Sequence, residues 1–83
     1  MMSNDDLLRR ITVNKAIFGG KPIIRGMRIS VEVILGFLAA GETVESVLDN
    51  YPDLEPDDIR ACFAYAHALV ANTSIDAIEL VGA

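Results

Sequence analysis

Few side chains in this sequence suit covalent or acid–base chemistry, and their spacing does not assemble them into a reacting set. His67 is the only histidine. On a helix it shares a line with Arg60, Ala64 and Ala71, opposite the apolar stripe, so it reads as a solvated surface residue rather than a general base. Asp57-Asp58 is a pair of adjacent carboxylates, but it falls in the first turn of a helix, where the dipole and capping already account for acids. Gly19-Gly20-Lys21 shares two residue types with a phosphate-binding loop and lacks the outer glycine and the Lys-Ser/Thr ending. Cys62 is the only cysteine, which rules out an intrachain disulfide and a thiolate metal site and leaves the role of a small core residue. The expectation is a protein that is not an enzyme and uses no metal, cofactor or small-molecule substrate.

Binding chemistry is better supplied. Lys21, Arg25 and Arg28 fall in one short, glycine-punctuated stretch, and Arg60 lies near the start of a later helix. An arginine fork grips carboxylate or phosphate with two parallel hydrogen bonds. These four residues are therefore the candidates for contact with a protein partner or a nucleic acid. The net charge of −5 conceals an asymmetry: residues 1–30 carry +4, and residues 31–83 carry −9. A basic arm on an acidic body can follow phosphate with one end or meet a partner of complementary charge. Internal salt bridges within the fold are an equal account of the same arginines.

The elements that must position these residues are legible from caps and periodicity. Ser3 or Asn4 caps a single turn through Arg10. Residues 11–30 read as two or three short strands with turns at Gly19-Gly20, Pro22 and Gly26, which would gather Lys21, Arg25 and Arg28 into a tight group. Ser30 caps a helix with Val31, Ile34, Leu35 and Leu38 on one stripe, widened by Val33 and Phe37 so that most sides are covered. Gly36 within it predicts a close backbone approach, and Gly41 ends it. Thr43 caps a second helix, with Val44, Val47, Leu48 and Tyr51 inward. Pro56 opens a third, with Ile59, Cys62, Phe63, Ala66 and Val70 as its buried stripe. Residues 72–83 form a tail with a short helix expected over Ile75 to Val81. The predicted class is mainly α in a single domain over 1–83: a short β element over 11–30, a trihelical, helix-turn-helix-like core over 31–71, and the short C-terminal helix.

Hydrophobic residues make up 52% of the 83, a high share for a domain whose own core is small. A homodimer that buries the surplus on the first and third helices of the core is expected. No apolar run approaches the ~20 residues of a membrane span, and the acidic start of the sequence lacks the apolar region of a signal peptide. A cytoplasmic location without membrane association is expected. Direct DNA reading meets an obstacle: the third helix would enter the groove with Glu55, Asp57 and Asp58 at its tip, and only Arg60 offers a bidentate base contact there.

The run Gly19-Gly20-Lys21-Pro22-Ile23-Ile24-Arg25-Gly26-Met27-Arg28-Ile29 is followed by Leu38-Ala39-Ala40-Gly41, Tyr51-Pro52-Asp53-Leu54 and Asp57-Asp58-Ile59-Arg60-Ala61. Together these resemble the domain-of-unknown-function family number 433, over roughly residues 11–70. The resemblance implies a homeodomain-like trihelical fold and the role of an antitoxin that binds a PIN-like nuclease toxin, whose active site is lined by acids. Met27 and Glu55 depart from the small polar residues expected there, and Glu55 thereby lacks an N-cap hydroxyl. The function so implied is an antitoxin of a prokaryotic toxin–antitoxin pair, with operator DNA as a further partner. The alternatives are a stand-alone DNA-binding transcriptional regulator and a homo-oligomeric structural module without nucleic-acid binding.

Overall fold

Residues 2–72 are described by the computed structural model. Seven short elements follow one another: α1 (Asn4–Leu8), β1 (Ile11–Thr12), a 3-10 turn (Phe18–Gly20), β2 (Ile23–Ile24), α2 (Val31–Ala39), α3 (Val44–Asn50) and α4 (Pro56–Ala71). The architecture is mainly helical with a small antiparallel β element in front, as expected.

The helix starts follow local chemistry. Ser3 Oγ accepts the Asp6 N–H, and the Asp6 carboxylate accepts the Ser3 N–H in return, a reciprocal pair that satisfies two orphan donors. Ser30 Oγ accepts from Val33 N, and Thr43 Oγ1 from Ser46 N, both at 3.1 Å. Glu55 lacks a hydroxyl, and the cap comes instead from inside the helix: its backbone N–H donates to Asp58 Oδ2 at 2.8 Å. The departure noted in the sequence thus costs α4 little. α2 ends where Gly41 takes φ +100°, with Gly41 N donating to Leu38 O and Glu42 N to Phe37 O. That pair of bonds needs a left-handed residue, and glycine supplies it without a Cβ clash.

β1 and β2 pair with Ile11 opposite Ile24 and Thr12 opposite Ile23, and Ile23 also bridges to Ser30. After β2 the chain reverses at Arg25-Gly26, both with positive φ, closed by Met27 N donating to Ile24 O at 2.8 Å, and returns so that Ser30 lies opposite Ile23. Two successive positive φ values suit the right-handed twist of a tight hairpin.

The core joins every layer: Ile24, Val31, Ile34, Val47, Leu54, Ile59 and Cys62. Each large side chain taken from water contributes about 1.5–3 kcal/mol. A smaller cluster seats Leu7 of α1 on Ala61 and Ala64 of α4, where the small residues let the helices approach.

Three expectations are corrected. α4 is rotated from the stripe read in the sequence: Asp58, Ala61 and Cys62 are buried, whereas Phe63 is 49% exposed and Val70 69% exposed. α2 is not covered on most sides, because Val33 and Phe37 remain exposed. Gly36 sits on that same open side, where a Cβ would meet no atom of the described residues within 4 Å, and none of their backbone approaches it. The helix expected over Ile75 to Val81 lies outside the described residues, as does most of the 72–83 tail.

Candidate partner-binding site

Asp58 is the one fully buried charged residue among those described. Its two oxygens accept four hydrogen bonds. Oδ1 takes Arg25 Nε and Arg10 Nη1, each at 3.0 Å, and Oδ2 takes Arg25 Nη2 and the Glu55 N–H, each at 2.8 Å. Arg25 holds the carboxylate bidentately and spans on to Asp53 O at 2.9 Å, while Arg10 also reaches Glu55 Oε1 at 2.7 Å. Burial pushes the Asp58 carboxyl upward; the bonds from Arg25, Glu55 N–H and Arg10 outweigh it and hold the group below the usual carboxylate range. Both arginines are raised in turn by their bonds to these acids.

The backbone makes this reach possible. Arg25 sits at φ +45°, an uncommon conformation for a side-chain-bearing residue. Its N–H donates to Arg10 O at 2.7 Å, so the two arginines enter the node side by side.

The second feature is an open groove of about 820 Å³ between the start of α2, residues 28–30 and the end of α3. Its apolar wall is Phe18, Val33, Phe37 and Tyr51, with Lys21, Arg28 and Glu32 at the rim. Phe37 and Tyr51 are tilted against each other with ring centroids 6.1 Å apart. Phe18 holds φ +50° and is 49% exposed. A left-handed aromatic residue costs about 1 kcal/mol, and here it presents the ring to solvent rather than to the core. Exposed apolar surface of this kind, rimmed by charge, marks interaction sites.

The four basic candidates do not form one surface. Lys21 Nζ bonds Glu32 Oε1 at 2.7 Å, and that contact holds Glu32 below its usual range. Arg25 turns away into the Asp58 node. Arg60 pairs with Asp57 at 3.3 Å on the surface of α4. Arg28 is exposed on the groove and, of the four, alone has no ion-pair or hydrogen-bond partner among the described residues. Lys21 and Arg28 therefore share the groove, and the expected tight group of three is split by the turn at Arg25-Gly26.

Sequence reasoning missed Arg10 and Asp58 as a unit, and it missed Phe18. A signal for Asp58 existed: it falls in helical register with Ala61, Cys62 and Tyr65, a face of small and apolar residues where a lone carboxylate requires cationic partners. His67 is exposed, as expected. Burial pushes the Cys62 thiol, helped by the nearby Asp58 charge, up to about 12, so it is no nucleophile at neutral pH. Among the described residues no cluster of three or more His, Cys, Asp or Glu is placed to hold a metal ion, and no helix is long and apolar enough to cross a membrane.

Comparison with known proteins adds a family. The chain is 38% identical over 58 residues to the uncharacterized protein y4eO of Sinorhizobium fredii (strain NBRC 101917 / NGR234), a match covering 70% of this chain and 26% of that protein. It thus spans about a quarter of the length of this relative. No solved structure matches the chain. The family model described as "Protein of unknown function (DUF433)" matches residues 11–66, which include Asp58, both arginines of the turn and every wall of the groove, and the chain belongs to that family.

Proposed function

We propose that this protein is a non-catalytic binding domain of antitoxin type, which holds a PIN-like nuclease toxin through the groove between residues 28–30, α2 and Tyr51. The observation that carries this reading is Arg28: a guanidinium with no ionic partner among the described residues, set at the edge of exposed aromatic and aliphatic side chains. A partner that offers a carboxylate beside an apolar surface satisfies both halves of such a site. The acid-lined active site of a metal-dependent nuclease is a partner of that chemistry, and an inserted arginine fork neutralises it. The proposal extends to a cytoplasmic homodimer that buries exposed Phe63 and Val70 of α4 and also binds operator DNA.

The test is inhibition of a purified PIN-like nuclease by the chain. Arg28→Glu should weaken inhibition at least tenfold, and Arg28→Lys should weaken binding by about 1–3 kcal/mol, the value of a charged hydrogen bond. If Arg28→Glu inhibits as well as the parent chain, the groove is not the toxin-binding surface.

A further inference from the structure

We infer that the groove receives an amphipathic helix of the partner, laid across α2 at Gly36, with a carboxylate on its flank that meets Arg28. This rests on the reading of the groove as a partner surface and adds the form of the element that enters it.

The charges of the rim set the chemistry of the occupant. Lys21 and Glu32 neutralise each other at 2.7 Å, which leaves Arg28 as the groove's cation without a counter-charge among the described residues. A partner that covers the apolar wall also takes Arg28 out of water, and an unmatched guanidinium there opposes docking. The occupant therefore brings a carboxylate beside its apolar side chains. A second copy of α4 does not answer this need. No position three or four away from its exposed Phe63, Leu69 or Val70 holds an acid.

The wall sets the form of the occupant. Val33 and Phe37 lie one turn apart on α2, each 37% exposed, and Gly36 lines the groove beside them. The backbone groups of this stretch are bonded within the helix. The wall thus offers side chains and no strand edge, and an occupant docks on it as a helix does in a groove, through anchors three and four apart. At Gly36 a Cβ would meet no atom of the described residues within 4 Å, although alanine suits a helix interior better than glycine. Such a notch in the ridge of side chains lets a crossing helix come close, so the weakness that glycine brings to α2 is offset on docking. Phe18 adds a third anchor. It holds φ +50° with its ring 49% exposed, local strain placed on the face that docking covers.

The probe is a synthetic alanine-based helical peptide with leucines three and four apart and glutamates on the adjoining flank. One control peptide replaces each glutamate by lysine, and another carries a central proline. Amide shifts of the isotope-enriched full chain locate the contact and give the affinity. The glutamate peptide should perturb Arg28, Val33, Gly36 and Phe37 and bind about tenfold more tightly than either control. Arg28→Glu should invert the preference in favour of the lysine peptide. Gly36→Ala should weaken binding about fivefold or more while the melting temperature rises, a combination that loss of the fold cannot produce. Equal binding of the glutamate and lysine peptides overturns the assignment, as does equal binding of the proline control or parental affinity in Gly36→Ala. Shifts that centre on Phe63 and Val70, or none at millimolar peptide, overturn it too. No nuclease enters this test: an Arg28→Glu chain that inverts the peptide preference and still inhibits the nuclease would sink the toxin reading and uphold the helix-binding groove.

Discussion

Arg25 and Arg28 lie three residues apart, yet the structure gives them opposite surroundings. Arg25 enters a closed node in which every oxygen site of Asp58 is used, and no described buried side-chain polar atom is left without a partner. Arg28 lines an open groove with apolar neighbours, where the one acid at the rim, Glu32, is taken by Lys21, and it has no ion-pair partner among the described residues. The same side chain is a strut in one place and an unspent contact in the other. What separates them is the turn at Arg25-Gly26, not residue type. An arginine count in a sequence therefore measures neither stability nor binding until its acids are located.

The largest effect expected from this contrast is in stability. Asp58→Ala leaves Arg10 and Arg25 facing each other without their carboxylate and removes the cap on Glu55 N–H. Breaking a buried pair of this kind costs about 3–5 kcal/mol, a large part of what a domain of this size holds. Arg28→Ala should stay within about 0.5 kcal/mol, as surface changes do. Urea unfolding of the two variants measures both. Equal losses would erase the distinction between strut and contact.

Acid provides a second, smaller probe. The Asp58 carboxyl is lowered in the fold relative to the unfolded chain. The unfolded state thus binds more protons over the interval between the two values, and stability rises with pH there. The contribution is fully present above the ordinary aspartate value, near 3.9, and is lost as pH falls through the lower folded value. Asp58→Asn should flatten this part of the stability–pH curve, measured by thermal unfolding between pH 5 and acid at about 0.1 M salt. An unchanged slope would assign the acid sensitivity to Glu32 and Asp6, which are also lowered, mainly by Lys21 and Ser3 respectively.

Gly36→Ala sharpens the comparison from the groove side, with a small gain rather than a loss. An added Cβ meets none of the described residues within 4 Å, and alanine is favoured over glycine inside a helix by about 1 kcal/mol. The variant should gain about 0.5–1 kcal/mol in urea unfolding. A loss would mean that the glycine is held by a contact beyond the described residues.

How much of this was legible in the sequence follows from the range of each interaction. Ser3, Ser30, Thr43, Gly41 and Pro56 act on neighbours within five positions, and the structure places each as read. The inward stripe of α2, from Val31 to Leu38, follows from period alone. The face of α4 does not. Hydropathy favours Phe63 and Val70 over Asp58, and the choice is reversed by partners 33 and 48 residues away in sequence. No local pattern carries that information. The groove is hidden for the complementary reason. Val33 and Phe37 extend an apolar stripe, and periodicity cannot say that none of the described residues covers them. The four basic residues were recognised as candidates, but which acid each one meets was set by tertiary folding.

One consequence of the Asp58 node concerns the segment it encloses. Residues 28–51, which carry most of the groove wall, lie between Arg25 and Asp58, so a non-covalent clasp closes a loop around α2 and α3. The two ends of that loop are fixed together, which shortens the free chain that carries the wall and lowers the entropy cost of ordering it. Any ligand that prefers the formed groove then stabilises the clasp by mass action, by an amount set by its concentration relative to its dissociation constant. The node and the groove share no side chain, yet a ligand that binds only the folded chain stabilises both.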